Sequence, residues 1–173
     1  MKYFGILIFT LFLSCSGNKE DIKSAGTYFD LKSFFGKEAS RLQALNPEIN
    51  KSVSRNSLEQ IKKVSGINWK SELTLFIESD INKPAWKKSY KVIRRNDDII
   101  YKSLDDNLKT REIRISRNKN GTVQKIIVKN HIKNSLYQSS EKLIYIPDSL
   151  YQIDKHQHVL IIGNNQYRIS GRF

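Results

Sequence analysis

The β-rich second half of the chain constrains its fold most strongly. From Tyr90 onward, short runs of β-branched and aromatic residues alternate with turn residues, a pattern typical of antiparallel sheets. The runs cover residues 90–95, 99–104, 111–117, 123–130, 136–140, 142–146, 150–154, 156–162 and 166–172. We expect some of them to fuse into longer, bent strands.

Turn residues predict the register of two hairpins. Asn120-Gly121 is a strong two-residue turn signal, and centring the turn there places Ile113 opposite Val128 and Glu112 opposite Lys129. Apolar residues then meet on one face and opposite charges on the other, which favours this register.

Asn164-Asn165 predicts a second turn. Centring it there places Ile162 opposite Tyr167 and His158 opposite Gly171. The even-numbered residues from 154 to 162 would then share the apolar face of the sheet.

The first half of the chain carries helix signals. Asp30 can cap a helix that Pro47 ends, and Asn68 can cap a second helix. Apolar residues recur at helical spacing after each cap: Leu31, Phe34, Phe35, Ala39, Leu42 and Leu45 in the first helix, and Trp69, Leu73, Phe76, Ile77 and Ile81 in the second. Residues 49–55 and 58–64 predict two strands between the helices, and residues 84–89 predict a short further helix.

These elements together predict an α+β fold. N-terminal helices are expected to pack on a curved, mostly antiparallel meander sheet, with the curvature of a half-barrel.

Composition narrows the partners and the covalent chemistry. The formal net charge of +13 suits polyanions such as anionic lipid, acidic glycan or nucleic acid, but it equally serves solubility. Cys15 is the only cysteine, so no intramolecular disulfide can form.

The first residues have the layout of an export signal. Lys2 precedes an uncharged apolar run over residues 3–13, which is too short to cross a bilayer as a helix. The end of this run and the two residues after it, Phe12-Leu13-Ser14-Cys15, resemble the lipobox of a bacterial lipoprotein precursor. Phe12 replaces the Leu-like residue of that motif, whereas Ser14 and Cys15 match it.

This resemblance implies cleavage before Cys15 and covalent lipid on it. Residues 1–14 would be the signal peptide, residues 15–27 the lipidated cysteine and a flexible tether, and residues 28–173 a single α+β domain. The domain would be anchored to the outer membrane, facing the periplasm or exposed at the surface, with nucleic acid an unlikely partner. The Asp80–Trp86 stretch followed by Ser89-Tyr90 also resembles uncharacterised lipoproteins of the Bacteroidota.

One constellation could carry chemistry. The sequence contains no Gly-rich phosphate loop, His-Glu-x-x-His motif or Gly-x-Ser-x-Gly motif, and a lipidated Cys15 could not be a nucleophile. Asp154, His156 and His158 alternate, so a strand would place them on one face. They could bind a metal such as Zn²⁺, line a ligand pocket as acid and base, or simply occupy the exposed end of a bent strand. We therefore assign no metal, no cofactor other than the lipid and no catalytic residue.

Basic residues cluster in three neighbouring β segments. Arg111, Arg114 and Lys125 are the candidate polyanion-binding residues, with Arg114 and Lys125 on the polar face of the first hairpin. Such a patch could attract anionic headgroups, although exposed strands are often Lys-rich simply to block edge pairing.

Three functional hypotheses follow. The first is a non-enzymatic lipoprotein that binds a ligand, a glycan or an envelope protein, or supports the envelope. The second is an envelope enzyme that uses Asp154, His156 and His158. The third is a polyanion-binding module that uses the basic sheet face.

Overall fold

The computed structural model describes residues 28–173. The predicted signal peptide, Cys15 and the tether lie outside these residues. The described chain forms one nine-stranded antiparallel sheet with a few helices. Its helices are α1 (Leu31–Leu45), α2 (Trp69–Glu72), α3 (Thr74–Glu78) and a 3₁₀ turn (Pro84–Trp86). Its strands are β1 (Ile49–Arg55), β2 (Leu58–Val64), β3 (Tyr90–Arg95), β4 (Asp98–Ser103), β5 (Thr110–Arg117), β6 (Val123–Lys133), β7 (Tyr137–Ile146), β8 (Leu150–Val159) and β9 (Gly163–Arg172).

The strand order is β2-β1-β9-β8-β7-β6-β5-β4-β3. Strands β3 to β9 form a meander, and the β1–β2 hairpin is added to β9. The sheet is open, because its edge strands β2 and β3 do not pair with each other. The predicted strand fusions are confirmed, since residues 137–146 and 150–159 are single strands.

The local helix signals are confirmed. The Asp30 side chain accepts a hydrogen bond from the Ser33 backbone at 2.7 Å, and Asn68 caps α2 in the same way through Ser71 at 3.1 Å. Four details differ from the prediction. The second helix is divided at Leu73 into α2 and α3, and the helix predicted over residues 84–89 is a 3₁₀ turn over Pro84–Trp86. Leu45 is 61% exposed, and Ile81 is buried beyond the end of α3 in a non-helical segment.

The body of the β5–β6 hairpin has the predicted register. Ile113 pairs with Val128 and Ile115 with Ile126, while Glu112 and Lys129 form an ion pair at 3.0 Å. The turn itself is wider than predicted, because the Asn118 carbonyl accepts from Gly121 and Gly121 adopts a φ of +80°. The register shifts by one residue after Ser116, as in a β-bulge, and this shift accommodates the wider turn.

The predicted register of the β8–β9 hairpin is wrong. The loop is Leu160-Ile161-Ile162 rather than Asn164-Asn165, and His158 pairs with Asn164 instead of Gly171. Gly163, at φ +83°, resumes the strand in a conformation that a β-branched residue strongly disfavours. The partner of His158 therefore differs from the predicted one by an odd number of residues. An odd shift places the side chains of β8 on the opposite face from the one predicted.

Aromatic rings dominate the buried core. We call the sheet face that carries Tyr145 and Tyr151 the inner face, and the opposite face the outer face. Phe35 of α1 lies 5.1 Å from Tyr145 between ring centroids, and Trp69 of α2 lies 6.0 Å from Tyr151. All four side chains are fully buried. Across the sheet from Tyr151, glycine at position 171 leaves room for the tyrosine ring. A Cβ there would overlap the ring and force it to shift.

Two tyrosine–glutamate pairs join helices to strands. The Tyr145 hydroxyl donates to Glu38 of α1 at 2.5 Å, and the Tyr151 hydroxyl donates to Glu72 of α2 at 2.6 Å. Burial and the neighbouring carboxylate raise the pKa of both hydroxyls far above the ordinary value for tyrosine. Each carboxylate also pairs with a cation, Arg41 at 3.0 Å for Glu38 and Lys51 at 2.7 Å for Glu72.

Candidate functional site

Asp154, His156 and His158 lie together on the outer face of β8. The register pairs them with Arg168, Gln166 and Asn164 of β9. The prediction that they share one face is confirmed, but its placement of that face on the apolar side is wrong. The odd register shift described above is the reason, and it leaves both imidazoles exposed.

The Asp154 carboxylate is already engaged by protein groups. Arg168 Nε donates to one oxygen at 2.5 Å, and Gln152 Nε2 donates to the other at 2.7 Å. The carboxylate in turn raises the pKa of Arg168. For Asp154 to bind a metal ion or to accept a proton, these two hydrogen bonds would have to break.

The histidines are arranged as polar surface groups. His158 Nδ1 lies 2.8 Å from the Asn164 side-chain oxygen, and His156 stands between Ser140 of β7 and Gln166 of β9. His131 belongs to the same cross-strand row, two strands from His156. That separation is roughly 10 Å at ordinary strand spacing, too far for a shared metal ligand set. Within residues 28–173, no group of three or more His, Cys, Asp or Glu side chains is arranged to hold a metal ion.

A polar cleft surrounds the two exposed histidines. Its volume is about 500 Å³. Nine residues line it: Asn56, Gln138, Ser140, His156, Gln157, His158, Asn164, Asn165 and Gln166. They carry amide, hydroxyl and imidazole groups and no carboxylate, lysine or arginine. Amides and hydroxyls can both donate and accept hydrogen bonds, so this lining suits an uncharged, hydroxyl-rich ligand.

Asn56 positions one wall of this cleft. It occupies the β1–β2 turn at φ +46°, a conformation that asparagine tolerates better than most residues. Its backbone N–H donates to the Gln166 carbonyl at 2.9 Å, and its side-chain oxygen accepts from the Gln166 N–H at 2.8 Å. The sequence predicted the turn at Asn56-Ser57 but not this contact, because β1 and β9 are far apart along the chain.

The structure separates Arg111 from the other two candidate polyanion-binding residues. Arg114 and Lys125 share the outer face as predicted, and Arg114 lies 3.9 Å from the Asp98 carboxylate. Arg111 lies at a register irregularity near the start of β5 and bonds Asp106 at 3.0 Å. It lines a second cleft of about 620 Å³, the cationic cleft, with Asp106, Asn107, Lys109, His131, Ile132 and Lys133.

A third depression follows the helices. It is a groove of about 700 Å³ along α1, lined by Lys32, Gly36, Ala39, Ser40, Gln43, Ala44, Lys70 and Ile77. At the contact between α1 and β7, the rings of Phe35, Phe76 and Tyr145 lie 4.7 to 6.1 Å apart and fill the space.

Compared with protein-family models, with curated proteins and with solved structures, the chain matches none of them. Among residues 28–173, no helix combines the length and apolarity needed to cross a bilayer.

Proposed function

We propose that this chain is an exported lipoprotein, anchored through Cys15, whose domain binds a hydroxyl-rich ligand such as a glycan without transforming it. The polar cleft around His156 carries the proposal. Its lining offers many hydrogen-bonding groups and no carboxylate, lysine or arginine, which fits recognition of an oligosaccharide better than it fits an acid–base mechanism.

The cleft is built for binding in one further respect. Its walls come from β1–β2, β7, β8 and β9, which are joined by backbone ladders, so the binding groups are held on a rigid scaffold. Ser140, His156 and Gln166 lie in one cross-strand row, while Gln138, His158 and Asn164 form the next. Two parallel rows of polar groups match the repeating hydroxyls of an extended sugar chain.

The test is binding of the full chain to an array of neutral and acidic oligosaccharides. We expect a hit whose affinity falls at least several-fold in the double variant Gln138→Ala/His156→Ala. Gln60→Ala, at an exposed position of edge strand β2, is the matched control and should bind like wild type. Failure of every oligosaccharide to bind, or equal binding by the double variant, would overturn the proposal.

The lipid anchor is tested separately. Cells that express the chain should incorporate radioactive palmitate into wild type and not into Cys15→Ala. The outer membrane should then contain the labelled protein. Labelling of both forms, or of neither, would contradict the anchor and leave the glycan test unaffected.

We also propose that the helices form a layer over the inner face of a curved, half-barrel sheet. The ring contacts of Phe35 and Trp69 and the bonds of Glu38 and Glu72 support this arrangement, since each reaches an inner-face tyrosine. It would leave the outer face available for binding.

A polyanion-binding role is the second candidate. Arg114 and Lys125 share the outer face, and the chain carries a net charge of +13. The unlipidated Cys15→Ser chain should float with anionic liposomes, and the charge reversals Arg111→Glu, Arg114→Glu and Lys125→Glu combined should reduce flotation. Equal flotation of both proteins would remove this candidate.

An envelope enzyme that uses Asp154, His156 and His158 stays a prediction, and a metal-dependent form of it is the sharpest to test. If that hypothesis is right, calorimetric titration with zinc shows binding that His156→Ala/His158→Ala abolishes. Absence of binding, or undiminished binding in the variant, would end the metal hypothesis.

A further inference from the structure

Antiparallel connectivity sorts the strand connections onto two ends of the sheet. Residues 56–57, 104–109, 134–136 and 160–162 connect strands at one end, which we call the apolar end. Residues 96–97, 118–122 and 147–149 connect strands at the other, polar end. The two sets of connections differ sharply in composition.

Most large apolar side chains left exposed on the described chain belong to the apolar end. Six of the nine lie in its connections or directly beside them: Leu58, Leu104, Leu136, Leu160, Ile161 and Ile162. Ile161 is 93% exposed. The polar end instead consists of Asn, Asp, Lys, Gly, Thr and Ser, with Pro147 as the one exception.

Four of these apolar residues form one contiguous tip. The Leu160 N–H donates to the Leu136 carbonyl at 3.1 Å, so the loop 160–162 and the loop 134–136 touch. We call Leu136, Leu160, Ile161 and Ile162 the apolar tip. A contiguous patch of exposed aliphatic side chains is typical of a surface that contacts a partner or a membrane.

Positive charge lies beside the apolar tip. The cationic cleft, at the same end, contributes Lys109, Arg111 and Lys133 against the single lining carboxylate of Asp106. Asp106 bonds Arg111, and Glu78 lies 3.7 Å from Lys109. Lys133, three residues before Leu136, is exposed, and no carboxylate of the described residues is bonded to it.

We infer that the apolar end docks onto an anionic membrane surface, with the apolar tip in the boundary between headgroups and acyl chains. Aliphatic tips flanked by cations complement a bilayer of anionic lipids, because the side chains enter the apolar boundary while the cations stay at headgroup level. The tip projects from loops rather than forming a groove, so it fits a deformable lipid surface better than a rigid protein pocket.

The start of the described chain agrees with this orientation. The Tyr28 hydroxyl donates to the Lys87 carbonyl at 2.7 Å, in the segment that enters β3 at the apolar end. The inference builds on the proposed membrane anchor, since residues 15–27 would join the domain beside the docked end. It does not depend on glycan binding.

The test places an environment-sensitive fluorophore at each end of the sheet in the full chain. Cys15→Ser removes the native thiol, and Ile161→Cys or Asn120→Cys supplies a single new one, both at exposed positions. Both labelled proteins are mixed with vesicles of equal parts phosphatidylglycerol and phosphatidylcholine. The probe at 161 should brighten several-fold, shift to shorter wavelength and be quenched by spin-labelled lipid, whereas the probe at 120 should not respond.

Charge reversal sharpens the test. Lys109→Glu/Lys133→Glu in the Ile161→Cys chain should weaken the vesicle response several-fold, as should high salt. Equal responses from both probe positions would overturn the inference. A probe at 161 that is already shielded before vesicles are added would also overturn the inference. If the shielding disappears on dilution, a second copy of the chain covers the apolar tip. If the shielding persists on dilution, residues 3–13 of the same chain cover it.

Discussion

The two halves of β8 have opposite environments, although they belong to one continuous strand. In the first half, Tyr151 and Ile153 are 0% and 7% exposed, and α2 reaches Tyr151 through Trp69 and Glu72. In the second half, His156 and His158 are exposed and the strand runs on to the apolar tip. We call these the covered half and the projecting half. The same names are used for the side chains of neighbouring strands and helices that are packed around each half.

The difference separates the packed part of the sheet from the part that we propose to bind. Side chains of the covered half are constrained by close packing, so changes there should cost free energy of unfolding. Side chains of the projecting half are largely exposed, so changes there should cost little free energy of unfolding. The following substitutions test that division, from the largest expected effect to the smallest.

Phe35→Ala should have the largest effect. The ring is fully buried between Phe76 and Tyr145, and its removal leaves a cavity that costs about 3–5 kcal/mol of unfolding free energy. Urea denaturation followed by circular dichroism measures it. Leu45→Ala, on the exposed side of the same helix, is the control and should change stability by less than about 0.5 kcal/mol. Equal losses would show that the covered half is not the packed one.

Gly171→Ala should destabilise the covered half by about 1–3 kcal/mol. The added Cβ would overlap the Tyr151 ring and lie 2.7 Å from Ile49 Cδ1, so the ring must shift. Gly36→Ala is the opposite case, since a Cβ there meets nothing within 4 Å and alanine favours the helix. That variant should be stabilised by about 0.5–1 kcal/mol. A neutral Gly171→Ala would argue against the Tyr151 packing.

Alkaline pH should lower the stability of the fold through its buried tyrosines. Burial raises the pKa of Tyr90, Tyr145 and Tyr151 above the ordinary value of about 10. Above that pH the unfolded chain loses phenolic protons that the folded chain keeps, so stability falls as pH rises. Each tyrosine contributes a slope of about 1.4 kcal/mol per pH unit there, and the full benefit is present below pH 10.

Denaturation midpoints between pH 9 and 11 measure this slope. Tyr145→Phe and Tyr151→Phe should each reduce it, because they remove one titrating hydroxyl. If the stability of wild type does not change between pH 9 and 11, the raised pKa of these buried hydroxyls is contradicted.

Substitutions in the projecting half should have the smallest effect on stability. His156→Ala and Ile161→Ser should each change unfolding free energy by no more than about 0.5 kcal/mol, because neither side chain is buried. Thermal denaturation of both variants beside wild type checks this. A large loss in either would mean that the cleft and the apolar tip are structural parts of the fold.

Short-range patterns predicted most of the secondary structure. Asp30 and Asn68 mark helix starts, residues 49–55 and 58–64 are the strands expected, and cross-strand pairing of Glu112 with Lys129 identified the β5–β6 register. These signals work because each depends on residues close together in the chain.

The errors and omissions have physical causes. The β8–β9 register was predicted by centring the turn on Asn164-Asn165, which put Leu160 and Ile162 on the apolar face. The structure instead leaves both side chains exposed in the loop, and the strand resumes at Gly163. The bond between Glu38 and Tyr145 and the contact between Asn56 and Gln166 join residues about 107 and 110 positions apart, for which no local pattern exists. The polar cleft depends on both the register and the β1–β9 pairing, so it could not be predicted from the sequence.

The pairing of β1 with β9 has a consequence for how the protein is made. Asn50 pairs with Arg172, so a strand synthesised early waits for its neighbour until nearly all of the described chain has left the ribosome. Until then the β1–β2 hairpin has no sheet to join, and Gly171 is not in place beside Tyr151. Closing a loop of that length costs conformational entropy before the contacts between β1 and β9 form, so we expect this pairing to be a late step of folding.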